Sequence, residues 1–175
     1  MTTGGPPRRI DLTGPLLTRP SVRIVNDVSA AMHSRDRVAH ELDISIDSSA
    51  PGSATVSMTV TDQMTNGLGV CHGGIVFTLA DTAMAHASNA GNGRTLATSA
   101  SIEWIRAARI GDGLTAKCLV IARRGRNMVH DIEVTNGAGE TVALVRGQTL
   151  TLSDAGSLPR SEGGELIRTT DSRTP

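Results

Sequence analysis

A chain of 175 residues lies in the range served by one hydrophobic core, so a single domain is expected. Its 17 Lys and Arg balance 17 Asp and Glu, which excludes a broad field recruiting nucleic acid or an anionic membrane, and one Phe, one Trp and no Tyr leave almost nothing for base stacking. Two cysteines make no disulfide framework, and no Cys-x-x-Cys or His-rich spacing suggests a metal site, so no metal is expected and a reducing cytoplasm fits the composition.

Residues 1–25, rich in Gly, Pro, Thr and Arg, read as a flexible tail. Arg8-Arg9 is followed by no sustained apolar run, so no export signal is expected, and nothing is long enough to span a bilayer. From Asn26, the residues Val28, Ala31, Met32, Val38, Ala39 and Leu42 recur at helical intervals and predict one helix, capped by Asn26 or Asp27. Ile44 and Ile46, a turn at Ser48 to Gly52, and Ala54, Val56, Met58 and Val60 at period two predict a hairpin.

A Gly-rich turn then leads into the apolar run Ile75 to Asn89, a buried helix stopped by Asn89-Ala90-Gly91-Asn92-Gly93. Thr98 to Arg106, the alternating Leu114 to Ala122 and Met128 to Thr135, and Val142 to Leu152 predict four strands. Arg124-Gly125-Arg126-Asn127 and Asn136-Gly137-Ala138-Gly139 supply tight turns. Residues 153–175 read as a second flexible tail, leaving a domain over 26–152.

Helix, two strands, long helix, four strands is an α+β order. It suits a six-stranded antiparallel sheet wrapped around a central apolar helix, the hotdog arrangement. The small residues Ala80, Ala83 and Ala87 would let a second backbone approach, which predicts protomers paired along this helix.

Two features of the long helix point to chemistry. His72-Gly73-Gly74 immediately precedes it, so unpaired amides stand at the positive end of a helix dipole, and glycines let a carbonyl come within hydrogen-bonding distance of them. Asp81 is the only ionisable residue of the helix other than His86, and a carboxylate in such surroundings has either a partner or a task. Seven residues at about 1.5 Å each separate Asp81 from Gly74, or about 10 Å, so Asp81 cannot serve the amides of its own helix. Two antiparallel helices across a dimer interface would bring the Gly73 and Gly74 end of one to Asp81 of the other.

Asn66-Gly67, Cys71-His72-Gly73-Gly74, Leu79-Ala80-Asp81-Thr82-Ala83, Ser101-Ile102-Glu103-Trp104 and Gly111-Asp112 resemble the phenylacetate-degradation (PaaI-type) hotdog thioesterases, from about Met32 to Leu152. The resemblance implies hydrolysis of acyl-CoA or aryl-CoA thioesters, hydroxyphenylacetyl-CoA among them, to free acid and CoA. It implies Asp81 as general base or nucleophile, the Gly73 amide polarising the thioester carbonyl, and Asn66 and His72 positioning substrate and water. Some relatives carry a water-orienting serine on the strand after the long helix. Ala97 stands there in this chain, with Thr98 and Ser99 beside it.

A carboxylate, a water and amide donors suffice for a thioester, so no cofactor is expected, CoA being part of the substrate. Gly74, Thr98 and Ser99 are expected on the substrate side. Arg106, Arg124 and Arg126, with Arg109 and Arg123, cluster near strand ends where they can pair with CoA phosphates. The expected assembly is a homodimer, two of which form a homotetramer.

Two alternatives use the same scaffold. In a hotdog enoyl-CoA hydratase, Asp81 and His86 would act on one substrate, yet five residues on a continuous helix set them about 140° apart. A binding module that holds acyl-CoA without turnover would have no need of Asp81. Cys71 and His72, adjacent in an extended turn, point apart and make no nucleophile and base.

Overall fold

The structure is a computed structural model describing residues 25–91 and 93–152. Apart from Val25, the two expected tails lie outside the described residues. The elements are α1 (Asp27–His33), α2 (Arg37–Glu41), β1 (Ser45–Ala50), β2 (Ser53–Thr59), a 3-10 turn (Asp62–Met64), α3 (Gly73–Asn89), β3 (Thr95–Trp104), β4 (Gly113–Arg124), β5 (Asn127–Thr135) and β6 (Thr141–Thr151). The fold is the expected α+β hotdog: a six-stranded antiparallel sheet, in the order β1-β2-β4-β5-β6-β3, curls around α3.

One expected helix is two. The apolar spacing from Val28 to Leu42 conceals a break at Ser34 and Arg35, after which the Asp36 carboxylate accepts the Ala39 amide at 3.0 Å and starts α2 afresh. Asn26 caps α1 through the Ser29 amide at 2.9 Å. Its side-chain amide also donates to the Ala90 carbonyl at 2.8 Å, tying the start of the fold to the end of α3.

Strand period and register together build the core. The paired row Val56, Ala116, Val134, Ala143 and the row Ala54, Cys118, Ile132, Val145 are buried against α3. Both rows continue onto β3, as Trp104 and Ile102, where the cover runs out: Ile102 is half-buried and Trp104 is 56% exposed. From Leu96 to Trp104 almost every β3 residue is exposed, on both faces, and its outer edge pairs with no strand among the described residues.

The alanine stripe is spent inside the chain. Ala80, Ala83 and Ala87 are fully buried in the core formed with the sheet, so they do not offer the interface expected of them. Small side chains here let the helix sit deep in the concave sheet. The side of α3 left partly open is instead Gly74, Phe77, Thr78, Asp81 and Ala85, a stripe at helical spacing that flanks the uncovered inner face of β3. No helix among the described residues is long and apolar enough to cross a membrane.

Candidate active site

The entry to α3 is built by its own side chains. His72 is the N-cap, and its Nδ1 accepts the Gly74 amide at 3.0 Å. The His72 carbonyl accepts from the Ile75 and Val76 amides at 2.9 and 3.3 Å. The Gly73 amide has no partner among the described residues, being the first orphan donor of the helix. Of the two glycine amides expected to meet a substrate carbonyl, Gly74 therefore already has an acceptor and Gly73 does not.

Beside that amide lies a groove of about 560 Å³ lined by His72, Gly73, Gly74, Phe77, Ala100, Ile102 and Trp104. Phe77 comes from the open stripe of α3, the last three residues from the uncovered inner face of β3. The Trp104 Nε1 donates to the Gly73 carbonyl at 3.3 Å. A second open groove of about 600 Å³ crosses the outer face of the sheet, between Lys117, Leu119, Leu144 and the Asp131–Arg146 ion pair, with no part of the α3 entry in it.

Asp81 is half-buried and, among the described residues, has neither a cation nor a hydrogen-bond donor. Burial raises its pKa above the ordinary carboxylate value, and the nearby Asp36 carboxylate raises it further. An acid in this state is a stronger base than a solvated one. His86 faces elsewhere. It is 1% exposed, its Nδ1 has no hydrogen-bond partner among the described residues, and burial, aided by His33, pushes its pKa down to about 4. His86 is thus enclosed where Asp81 is half-open, which speaks against one substrate meeting both, as a hydratase needs.

The Asn66 Oδ1 accepts the Leu68 amide at 2.9 Å and organises the loop leading to His72. This loop is fastened where Thr65 bridges Cys71 and where the Cys71 amide donates to the Ala108 carbonyl at 2.8 Å. The Cys71 thiol is buried and its pKa raised by desolvation, so it is packing and no nucleophile. Thr98 sits at the bulge of β3 and its hydroxyl donates to the Gln148 carbonyl at 3.2 Å, while Ser99 is exposed.

The arginines divide between the two ends of the sheet. Arg106 lies just past Trp104, at the groove end, and pairs with Glu140 at 3.2 Å. Arg124 and Arg126 flank the β4–β5 turn at the opposite end, where the Arg126 carbonyl accepts the Thr151 amide. Arg94, which sequence reasoning did not single out, stands at that same end through the bond from the Leu152 amide to its carbonyl. Within one chain the structure brings His72, Gly73 and Gly74 together. It sets Asp81 further along α3 and Arg124 and Arg126 a strand length away.

Residues 68–143 match the family model described as Thioesterase superfamily. The chain is 44% identical over 119 residues to the acyl-coenzyme A thioesterase PaaI of Escherichia coli, an alignment covering 68% of this chain and 85% of that one. The structure of the E. coli PaaI protein from the phenylacetic acid degradation operon superposes with a TM-score of 0.71 at 41% identity, covering 74% of this chain and 92% of that one. A variant of the phenylacetic acid degradation protein PaaI from Thermus thermophilus superposes with a TM-score of 0.64 at 30% identity, covering 67% and 100%.

Proposed function

Because the chain belongs to the PaaI-type hotdog thioesterases of the thioesterase superfamily, we propose that it hydrolyses acyl-CoA thioesters, arylacetyl-CoA esters among them, at a site shared by two copies of itself. Asp81 acts on the water and the Gly73 amide on the carbonyl. The observation that carries this is Asp81 itself: a half-buried carboxylate with no cation or donor beside it among the described residues, on the open stripe of an otherwise apolar helix.

In this reading the thioester carbonyl oxygen accepts the Gly73 N–H at the α3 N-terminus, where the dipole favours the charge developing on it. Asp81 takes a proton from water as the water oxygen bonds to the carbonyl carbon. The tetrahedral adduct then collapses, the C–S bond breaks, and the CoA thiolate takes up the proton. The products are the free acid and the CoA thiol. The same carboxylate attacking the carbonyl directly, with water opening the resulting anhydride, balances equally well.

The shared site rests on β3. An edge strand of ten residues with no neighbour on one side among the described residues is a template for another strand, and two copies of β3 paired antiparallel join two sheets into one. That pairing turns the Arg94, Arg124 and Arg126 end of one chain towards the Trp104 and Gly73 end of the other, so that CoA phosphates at one groove can meet arginines of both copies. His72, which lines the groove, and Asn66, which organises the loop leading to it, would position substrate and water, and Thr98 and Ser99 lie along the paired edge. A homotetramer would be two such dimers.

Thiol release from phenylacetyl-CoA by the full chain and by Asp81→Asn tests the assignment. Turnover is expected to fall at least about a hundredfold in the variant, with CoA binding kept. The variant should also melt at a higher temperature at pH 7, because the folded state holds the wild-type carboxyl pKa up and ionisation at neutral pH therefore costs stability. Thiol release that ignores Asp81→Asn, or none from any acyl-CoA ester, would leave the binding module as the better account.

A further inference from the structure

The peptide joining Gly73 to Gly74 is held at both ends. Its amide hydrogen goes to His72 Nδ1 at 3.0 Å, and its carbonyl oxygen accepts from Trp104 Nε1 at 3.3 Å. The preceding peptide, His72 to Gly73, is held by its oxygen, which takes the Ile75 and Val76 amides. Both planes flanking the Gly73 Cα are thereby fixed, and of their polar groups the Gly73 N–H alone is without a partner among the described residues. Two donors on its carbonyl also polarise that peptide and make its N–H a better donor.

The indole accounts for the glycine as well. A Cβ on Gly73 would stand 2.9 Å from Trp104 Nε1 and 3.0 Å from Cε2, closer than van der Waals contact permits. The expectation that the glycine serves the substrate's approach gains a second cause: the Cβ's place is already taken by Trp104. Yet Trp104 remains 56% exposed, and its uncovered surface forms a wall of the groove with Phe77 and Ile102. A large, half-bare aromatic bonded to the helix entry through its only polar atom points to a part in that site.

We propose that Trp104 is a positioning residue for the thioester carbonyl: its indole N–H, acting with the His72 ring, aims the Gly73 amide into the groove, and its open face is the wall on which the acyl-CoA lies. The inference rests on the reading of Gly73 as the carbonyl donor and adds to it the side chain that orients this donor.

The chain has a single tryptophan, so biosynthetic replacement of tryptophan by β-(3-benzothienyl)alanine changes one ring atom of one residue, sulfur standing where N–H was. Shape and apolar surface are kept, and folding is checked by the melting temperature. The replaced protein should show kcat for phenylacetyl-CoA lowered about fivefold to tenfold, the worth of one hydrogen bond, with KM within about twofold. Trp104→Phe should follow it, with KM raised as well because the wall is smaller. In the unreplaced protein, tryptophan emission should change saturably with a non-hydrolysable acyl-CoA thioether.

An unaltered kcat on loss of the N–H, or a change confined to KM, would overturn the positioning role. A thioether that binds by calorimetry and leaves the emission untouched would remove Trp104 from the site altogether. These failures are distinct from that of the parent reading, which would appear as a wild-type protein whose thiol release is absent or indifferent to Asp81→Asn.

Discussion

Two ionisable residues on one helix, Asp81 and His86, meet opposite fates because five residues of helical rotation separate an open face from a closed one. For His86 the consequence is a pH dependence of stability. Its folded-state pKa is depressed to about 4 against 6.5 unfolded, so between these values the unfolded chain binds a proton that the folded chain refuses. Stability should fall as pH drops from about 6.5 to about 4 and level off below, by up to about 3 kcal/mol. Melting curves of wild type and His86→Gln across that window check it, the variant being expected to show the flatter profile. Asp81 was legible in the sequence as a carboxylate out of place. That His86 is neutral and enclosed was legible only as a preference for core packing, since its enclosure depends on how α1 folds against α3. His33, on α1, has its ring centroid 6.3 Å from that of His86.

At the scale of elements, close packing of α3 into the sheet is the feature most open to perturbation. Gly147 on β6 lies under the buried Met84 of α3, and a Cβ there would overlap the thioether. Gly147→Ala should therefore destabilise the fold by about 1 to 3 kcal/mol through overpacking, measurable as a lowered denaturant midpoint at unchanged slope. The strands were legible because period-two alternation survives wherever one face is buried, as from Leu114 to Cys118 and from Met128 to Val134. The division of the first helix was not, because the apolar spacing runs on through Ser34 and Arg35, and the Asp36 cap is recognisable only once the break is seen. The alanine stripe misled for a related reason: small residues report that something comes close and do not say whether it is the chain's own sheet or another chain. The open stripe through Phe77 and Asp81 follows from which strands α3 covers, a fact of topology with no signal of its own in the residues.

For the molecule as a whole, the proposed site draws Gly73 from one copy and Asp81 from another, and that division can be tested by mixing. Gly73→Ala and Asp81→Asn should each be nearly inactive alone. Unfolded together and refolded at equal amounts, they should recover about a quarter of wild-type thiol release, since half of randomly formed dimers are mixed and each mixed dimer carries one intact site of two. No recovery from well-folded mixtures would place both groups in one chain. The uncovered β3 edge then has a kinetic corollary. If each groove is complete only when two edges have met, turnover per chain is governed by how many chains are present as well as by substrate. Serial dilution should reveal a threshold below which output declines faster than the amount of protein, so that the enzyme's own abundance would act as a throttle on the reaction.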